Sequence, residues 1–424
     1  MHRMLDLSYG SDRLSLALPA DWNPDILTLP ATPRPIDGAS CVASVLDAPL
    51  GLQPLEHWAQ AGDRVLVLVS DNTRVCASDT AVPLVLARLA AAGVRKEDVA
   101  ILFANGTHAR MRDDEVRALL TPEVVDAYVV EQHDARDAAA MVGVGTTRYG
   151  THVLLNRRVT WCTRAVTIGT VVHHYFAGFG GGPKLFVPGI AAYETAVANH
   201  RRTLREDGTF DERCADGRVE DNPVALDIRD AARFMPPTFA LTVLTDAHGG
   251  VTDALAGEMF AVHDAACRRV DARAVVEVDA AYDVVIVSAG GWPKDINLIQ
   301  SHKSLHHAAA IAREGATIIC VAECREGVGN ERIRALFDLE EGALKQHVLA
   351  HYEMNAHTVV ALRGKASRFD VQMLSALDRR DVERLGYRVA GSLGEAVAAA
   401  RARHGAAARV AVVPNGSLVV PRVR

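Results

Sequence analysis

The part of the chain richest in groups able to do chemistry runs His173-His174-Tyr175-Phe176-Ala177-Gly178-Phe179-Gly180-Gly181-Gly182-Pro183-Lys184 and continues through Pro188-Gly189 to His200. Gly178, Gly180, Gly181 and Gly182 place four glycines in five positions, which lets the backbone approach a ligand and leaves amides to donate to an anion. The segment is not a Walker phosphate loop, because no Ser or Thr follows Lys184 and the glycine spacing is wrong. Nor is it a dinucleotide fingerprint, because the chain after Lys184 runs to Pro188-Gly189 instead of into a helix.

Imidazoles surround this segment. His108, His174 and His200 lie beside glycine-rich or post-strand loops, where a ring can face a cleft and both accept and donate a proton near neutral pH. Taken singly, each also suits a hydrogen-bonded structural histidine. His173 and His174 are neighbours at a strand end, so their side chains point opposite ways and one of them faces the site. His306 and His307 fall on a predicted helix and read as surface or packing residues. Arg74 and Lys303 come from the two halves of the chain and both follow strand ends; an arginine fork with a lysine suits a carboxylate. On residue types alone two other readings stay open. One is a zinc-dependent hydrolase built on the three histidines, which leaves Lys184 and its loop without a purpose. The other is a non-catalytic nucleotide- or carboxylate-binding module.

The elements that must position these groups alternate between short β-rich runs and longer helical stretches. Arg64–Ser70, Val99–Ala104 and Ala165–Thr170 are predicted strands, with helical spacing over Val82–Ala92 closed by Gly93 and an acidic helix start at Asp113-Asp114-Glu115. A second set begins near Val270, with strands at Asp283–Ser288 and Ala316–Val321 and a further strand at Arg409–Pro414 that returns to either sheet. This alternation predicts an α/β protein of two domains, each with a mainly parallel sheet flanked by helices. We place residues 1–268 in an N-terminal catalytic and cofactor-anchoring domain and 269–424 in a C-terminal domain, with the active site in the cleft between them. Arg205–Pro223 reads as a polar surface excursion. In open α/β sheets ligands bind beyond the strand carboxyl ends, and the polar residues of interest fall there.

Bulk properties narrow the classes. A chain of 424 residues exceeds one ordinary core. Hydrophobic content of 49% with 23% charged residues is that of a globular protein, and a net charge of -6 argues against a nucleic-acid partner. Met1–Ala20 lacks the apolar core of a signal peptide, and the longest apolar runs, such as Val65–Val69 and Ala396–Ala400, are far short of a span. Seven cysteines without framework spacing, Cys320 and Cys324 being the closest pair, read as reduced. The expected location is the cytoplasm, without a membrane partner.

In order, the chain carries Ser70-Asp71-x-Thr73-Arg74, Ala104-Asn105-Gly106-Thr107-His108, His174-x-x-Ala177-Gly178-Phe179-x-Gly181-Gly182-x-Lys184, Pro188-Gly189, His200 and Gln300-x-x-Lys303. With these motifs the sequence resembles the nickel-dependent lactate racemase family, over most of its length. The resemblance implies a racemase or epimerase of a small 2-hydroxy acid. Lys184 would carry a nickel-pincer nucleotide through a thioamide, and His200 would complete a planar nickel site. His108 and His174 would be the paired acid–base groups. Arg74 and Lys303, with Gln300 and Trp292, would hold the substrate. Asp71, Thr73, Gly178, Gly181 and Gly182 would shape the cofactor pocket, and cofactor-assembly enzymes would be partners. The chain departs from the family at Gly180 and Pro183, where members often have Ser and a small residue, and at Val75, which replaces a common proline. These leave the identity of the hydroxy acid open, with Tyr175, Phe176 and Trp292 as further lining residues.

Overall fold

The computed structural model describes residues 4–29, 34–246 and 249–424; the first three residues of the N-terminal stretch read above lie outside them. The chain divides into two units, one comprising Thr32–Arg202 and Glu212–Asp271, the other holding the first strands together with Thr203–Asp211 and Ala272–Arg424.

The sheet of the first of these units has six strands in the order Val251–Glu258, Thr238–Thr245, Arg164–Gly169, Val65–Ser70, Val99–Ala104, Val129–Gln132. All neighbours are parallel except the edge pair Thr238–Thr245 and Val251–Glu258. The run Val65–Ser70 is buried throughout, as expected for a parallel strand covered on both faces, which needs a continuous apolar sequence instead of an alternating one. The helix read over Val82–Ala92 starts a turn earlier and spans Ser78–Ala91, with Asp79 in its first turn. The acidic start at Asp113 opens the helix Asp113–Leu120 as predicted. From Val65–Ser70 the chain builds outward to Val129–Gln132, then returns to the opposite side with Arg164–Gly169. That reversal is a topological switch point, and the crevice it opens lies beyond the carboxyl ends of those two central strands.

The other unit has its own six-stranded sheet, parallel throughout, in the order Arg388–Val389, Asp370–Leu374, Ala312–Val321, Tyr282–Ser288, Val410–Val413, Asp25–Ile26. Val410–Val413 pairs here with Tyr282–Ser288, so it does not return to the sheet of the first unit, and the last strand is Val420–Val423, parallel to Val275–Val278. The N-terminal residues, read as part of the first domain, belong here as well. Asp25–Ile26 forms the sheet edge, and Leu7, Leu16 and Leu18 are buried in one cluster with Ile286, Ile319 and Val412. Apolar burial decides the placement: these leucines cover a sheet face that would otherwise meet water.

The segment Arg205–Pro223 also differs from the surface excursion expected, because Cys214 and Asn222 within it are fully buried. Asn222 is admitted because its polar atoms are satisfied: Oδ1 accepts from Val224 and Ala225 amides and Nδ2 donates to the Phe176 carbonyl. All seven cysteines are free thiols, and every one but Cys41 is buried. Among the described residues no helix is long and apolar enough to cross a membrane.

Candidate active site

The first strand of the switch point ends at Ser70 and delivers Asp71, Thr73 and Arg74 into the crevice. Asp71 is only 4% exposed. Its Oδ1 accepts from the Thr73 amide at 3.2 Å and the Thr73 hydroxyl at 2.6 Å, and its Oδ2 lies 2.7 Å from Nδ1 of His108. Burial alone would raise the Asp71 pKa, but hydrogen bonds from His108 and Thr73 and the charges of His108 and Arg74 outweigh it and hold the carboxyl below its usual range. An ionised Asp71 keeps the proton of His108 on Nδ1 and turns Nε2 outward, the arrangement by which a carboxylate orients a histidine base. The sequence reading gave Asp71 a general role in shaping the pocket; its specific partner was not visible there.

His108 sits on the turn Asn105-Gly106-Thr107-His108, closed by the His108 amide donating to the Asn105 carbonyl at 3.0 Å. Its side chain is 53% exposed. The Gly106 amide donates to the Gly189 carbonyl at 2.9 Å, joining the histidine turn to the turn that follows Lys184. Arg74 donates to the Thr73 carbonyl and is committed to no close ion pair with a carboxylate among the described residues.

The second strand, Arg164–Gly169, leads into the glycine segment. His173–His174 pairs antiparallel with Gly178–Phe179, and Gly182–Leu185 forms a single 3-10 turn carrying Lys184. Gly178, Gly181 and Gly182 all have positive φ. At Gly181 the reason is close packing: a Cβ there would strike the Thr170 carbonyl.

Phe176, read from the sequence only as a lining residue, is the ring on which the motif residues meet. Its ring, 4% exposed, meets His174 edge-on at 4.4 Å and His200 at 4.9 Å, and the Lys184 ammonium stands 5.3 Å above it. Three of the residues singled out by motif therefore gather on one aromatic ring. Asn222 fixes the Phe176 backbone from below, and the Asn222-Pro223 pair, a helix-start signal, was the trace of it in the sequence. His200 ends the helix Tyr193–His200 and is 8% exposed. Its neighbour Asn199 donates to Asp227, a buried carboxylate that also accepts from Thr147 and Thr151 and pairs with Arg202. This network anchors the helix end that presents His200.

An amine, an imidazole and an aromatic wall form a donor set suited to a covalently held, metal-bearing group. A further sign is Asn105 Oδ1, which is buried with no hydrogen-bond partner among the described residues and could accept from a bound molecule. Among the described residues no group of three or more His, Cys, Asp or Glu side chains is placed to hold a metal ion, so a three-histidine zinc centre has no cluster to rest on.

Gln300 and Lys303 belong to the other unit and share one face of the helix Leu298–Ile311, where Lys303 Nζ donates to Gln300 Oε1 at 2.7 Å. Trp292, in the loop before it, is 58% exposed. His307 is a packing residue, buried and bonded to the Gly416 carbonyl.

Comparison with known proteins gives this arrangement a family. A family model described as the lactate racemase N-terminal domain matches residues 9–211, and one described as the lactate racemase C-terminal domain matches residues 277–420. A lactate racemase of Thermoanaerobacterium thermosaccharolyticum is 30% identical over 77% of this chain and 76% of its own length. One of Lactiplantibacillus plantarum is 27% identical over 89% of this chain and 90% of its own. The solved structure of the Thermoanaerobacterium lactate racemase apoprotein superposes with a TM-score of 0.88 at 26% identity, covering 99% of this chain and all of that one. A Thermotoga maritima protein shares the fold at a TM-score of 0.61 and 18% identity, covering 91% of this chain and 97% of its own. The chain belongs to the lactate racemase family and is an isomerase.

Proposed function

We propose that this isomerase inverts the hydroxyl-bearing C2 of a small 2-hydroxy acid, with His108 and His174 as its two acid–base groups. The observation that carries the reading is the gathering of His174, Lys184 and His200 around Phe176, in the same unit as a His108 already oriented by Asp71.

The C2–H of a 2-hydroxy acid is too weakly acidic for an imidazole to deprotonate. Its departure with the bonding electrons, while a base takes the hydroxyl proton, gives a 2-keto acid that is planar at C2. Return of the hydrogen to the opposite face then requires a proton donor for each hydroxyl position, and two histidines meet that need. His108, with Nδ1 held by Asp71, moves its proton at Nε2. Arg74 holds the carboxylate so that the keto acid turns without leaving. Lys184 would anchor a nickel-pincer nucleotide and His200 would ligate its nickel, with Asp71, Thr73, Gly178, Gly181 and Gly182 around it. When bound, that group supplies the acceptor for the C2 hydrogen and its electron pair.

The test is intact mass and metal content of the full chain co-expressed with cofactor-assembly enzymes, followed by racemisation in deuterated water. The expected result is an adduct mapping to Lys184, about one nickel per chain, and a C2 hydrogen retained without exchange. No adduct beside a functioning control protein, or rapid entry of deuterium at C2, would overturn the reading.

A further inference from the structure

The helix Met259–Ala274 contributes nothing to the site as described, yet His263, Cys267 and Asp271 follow one another at steps of four residues and so share one face. Both ends of that stripe meet the glycine loop. At one end the His263 ring, 5% exposed, lies against Gly182, where φ is +51° and a Cβ would strike the imidazole. Burial, reinforced by the Arg229 charge, pushes this imidazole down to about 4, so it is neutral across the working range. Cys267 Sγ packs 3.7 Å from His263 Nε2, its thiol kept protonated chiefly by burial.

At the other end Asp271 Oδ1 lies 2.7 Å from Nε2 of His173, whose ring tilts against Phe179 at 4.8 Å. His173 pairs with Phe179 across the short hairpin, and His174 with Gly178. Neighbouring strand residues point opposite ways, so a His173 held toward the helix turns His174 to the other face.

We propose that this helix is the template that positions both reactive ends of the glycine loop, His263 setting the Lys184 end and Asp271 setting the His174 end. Both are positioning residues, and the inference rests on the roles given above to Lys184 and His174. Without the His263 ring packed against Gly182 the loop opens locally and Lys184 loses its fixed approach; without Asp271 the hairpin twists and His174 no longer presents one face.

Two measurements on the full chain without cofactor test this independently of turnover. The first is the rate at which a limiting acetyl N-hydroxysuccinimide ester acylates Lys184, read by peptide mass relative to the exposed Lys96. His263→Ala, which removes the ring packed against Gly182, should raise the ratio about fivefold, as the loop opens over the lost contact. His263→Leu, which refills the buried volume against Gly182, should bring it back to within about twofold of the parent. Gly182→Ala, which pushes a methyl at the ring from the loop side, should give the same rise as His263→Ala and serves if that variant does not fold. The second is the rate of His174 carbethoxylation, expected to rise about fivefold in Asp271→Asn with Lys184 unchanged. In the loaded enzyme Asp271→Asn should lower kcat about tenfold at unchanged KM. A folded His263→Ala or Gly182→Ala protein with the parent Lys184 ratio, or Asp271→Asn with parent His174 reactivity, overturns the proposal. A chain that racemises no 2-hydroxy acid would sink the functional reading and leave both labelling ratios to decide the template.

Discussion

Each unit places a buried aspartate in the loop after a central strand, and the two are used differently. Asp71, 4% exposed, follows Val65–Ser70 and spends its oxygens on side chains, His108 and the Thr73 hydroxyl, besides one amide. Asp295, 1% exposed, follows Tyr282–Ser288 and accepts from the backbone amides of Gly10 at 2.6 Å and Glu323 at 3.1 Å. The first orients an imidazole; the second ties three stretches of chain together. The same architecture and the same residue type thus yield a carboxylate–imidazole pair in one unit and a latch in the other. Partners reached through tertiary folding make the difference, and function lies in the site, not in the fold.

Separating the two aspartates by substitution should give opposite signatures. Asp71→Asn is expected to lower kcat by about 10³-fold, because the amide can donate to Nδ1 and leave the proton of His108 on the wrong nitrogen. Its unfolding midpoint should stay close to the parent. Asp295→Ala removes a charged acceptor from two amides and is expected to cost roughly 4 kcal/mol in urea unfolding. A thousandfold loss of kcat in Asp295→Ala at parental stability would collapse the comparison, as would parental kcat in Asp71→Asn.

The contrast also shows what a sequence displays. The central strands were legible because a parallel strand covered on both faces demands an unbroken β-branched run such as Val65–Val69. His108, His174, Lys184 and His200 stood out because they sit in motifs at fixed steps, and the last three of them share the Phe176 ring. The two-residue edge strand Asp25–Ile26 was not, since nothing so short carries a period, and it drew the N-terminal residues into the unit where they were not expected. Asp71 was named without its partner, because a pairing across 37 positions leaves no local trace. Phe176 was named only as a lining residue beside Tyr175, and its place at the centre shows once its ring is seen against two imidazoles and an ammonium. Polar segments mislead when their side chains are satisfied by backbone in the interior, as Asn222 of Arg205–Pro223 is by the Phe176 carbonyl and the Val224 amide.

A smaller effect sharpens the comparison within one unit, between His108, whose side chain is half exposed, and His263, which is enclosed beneath the glycine loop. A histidine buried neutral and pushed down to about 4 binds no proton in the folded state until that pH, whereas in the unfolded chain it titrates at the ordinary value near ~6.5. Between those values the unfolded state holds more protons, so stability rises with pH across the window. The contribution is complete above about 6.5 and is lost as pH falls toward about 4, for a total of about 3 kcal/mol. His133 and His302 are also pushed down by burial, but they remain in any single His263 variant and cancel in the difference. Urea unfolding of the parent and of His263→Leu between pH 7 and pH 4.5 should therefore show a shallower loss in the variant. Parallel curves would mean that His263 accepts a proton while the protein is folded, and the rigid, dry contact with the lysine turn would have to be abandoned.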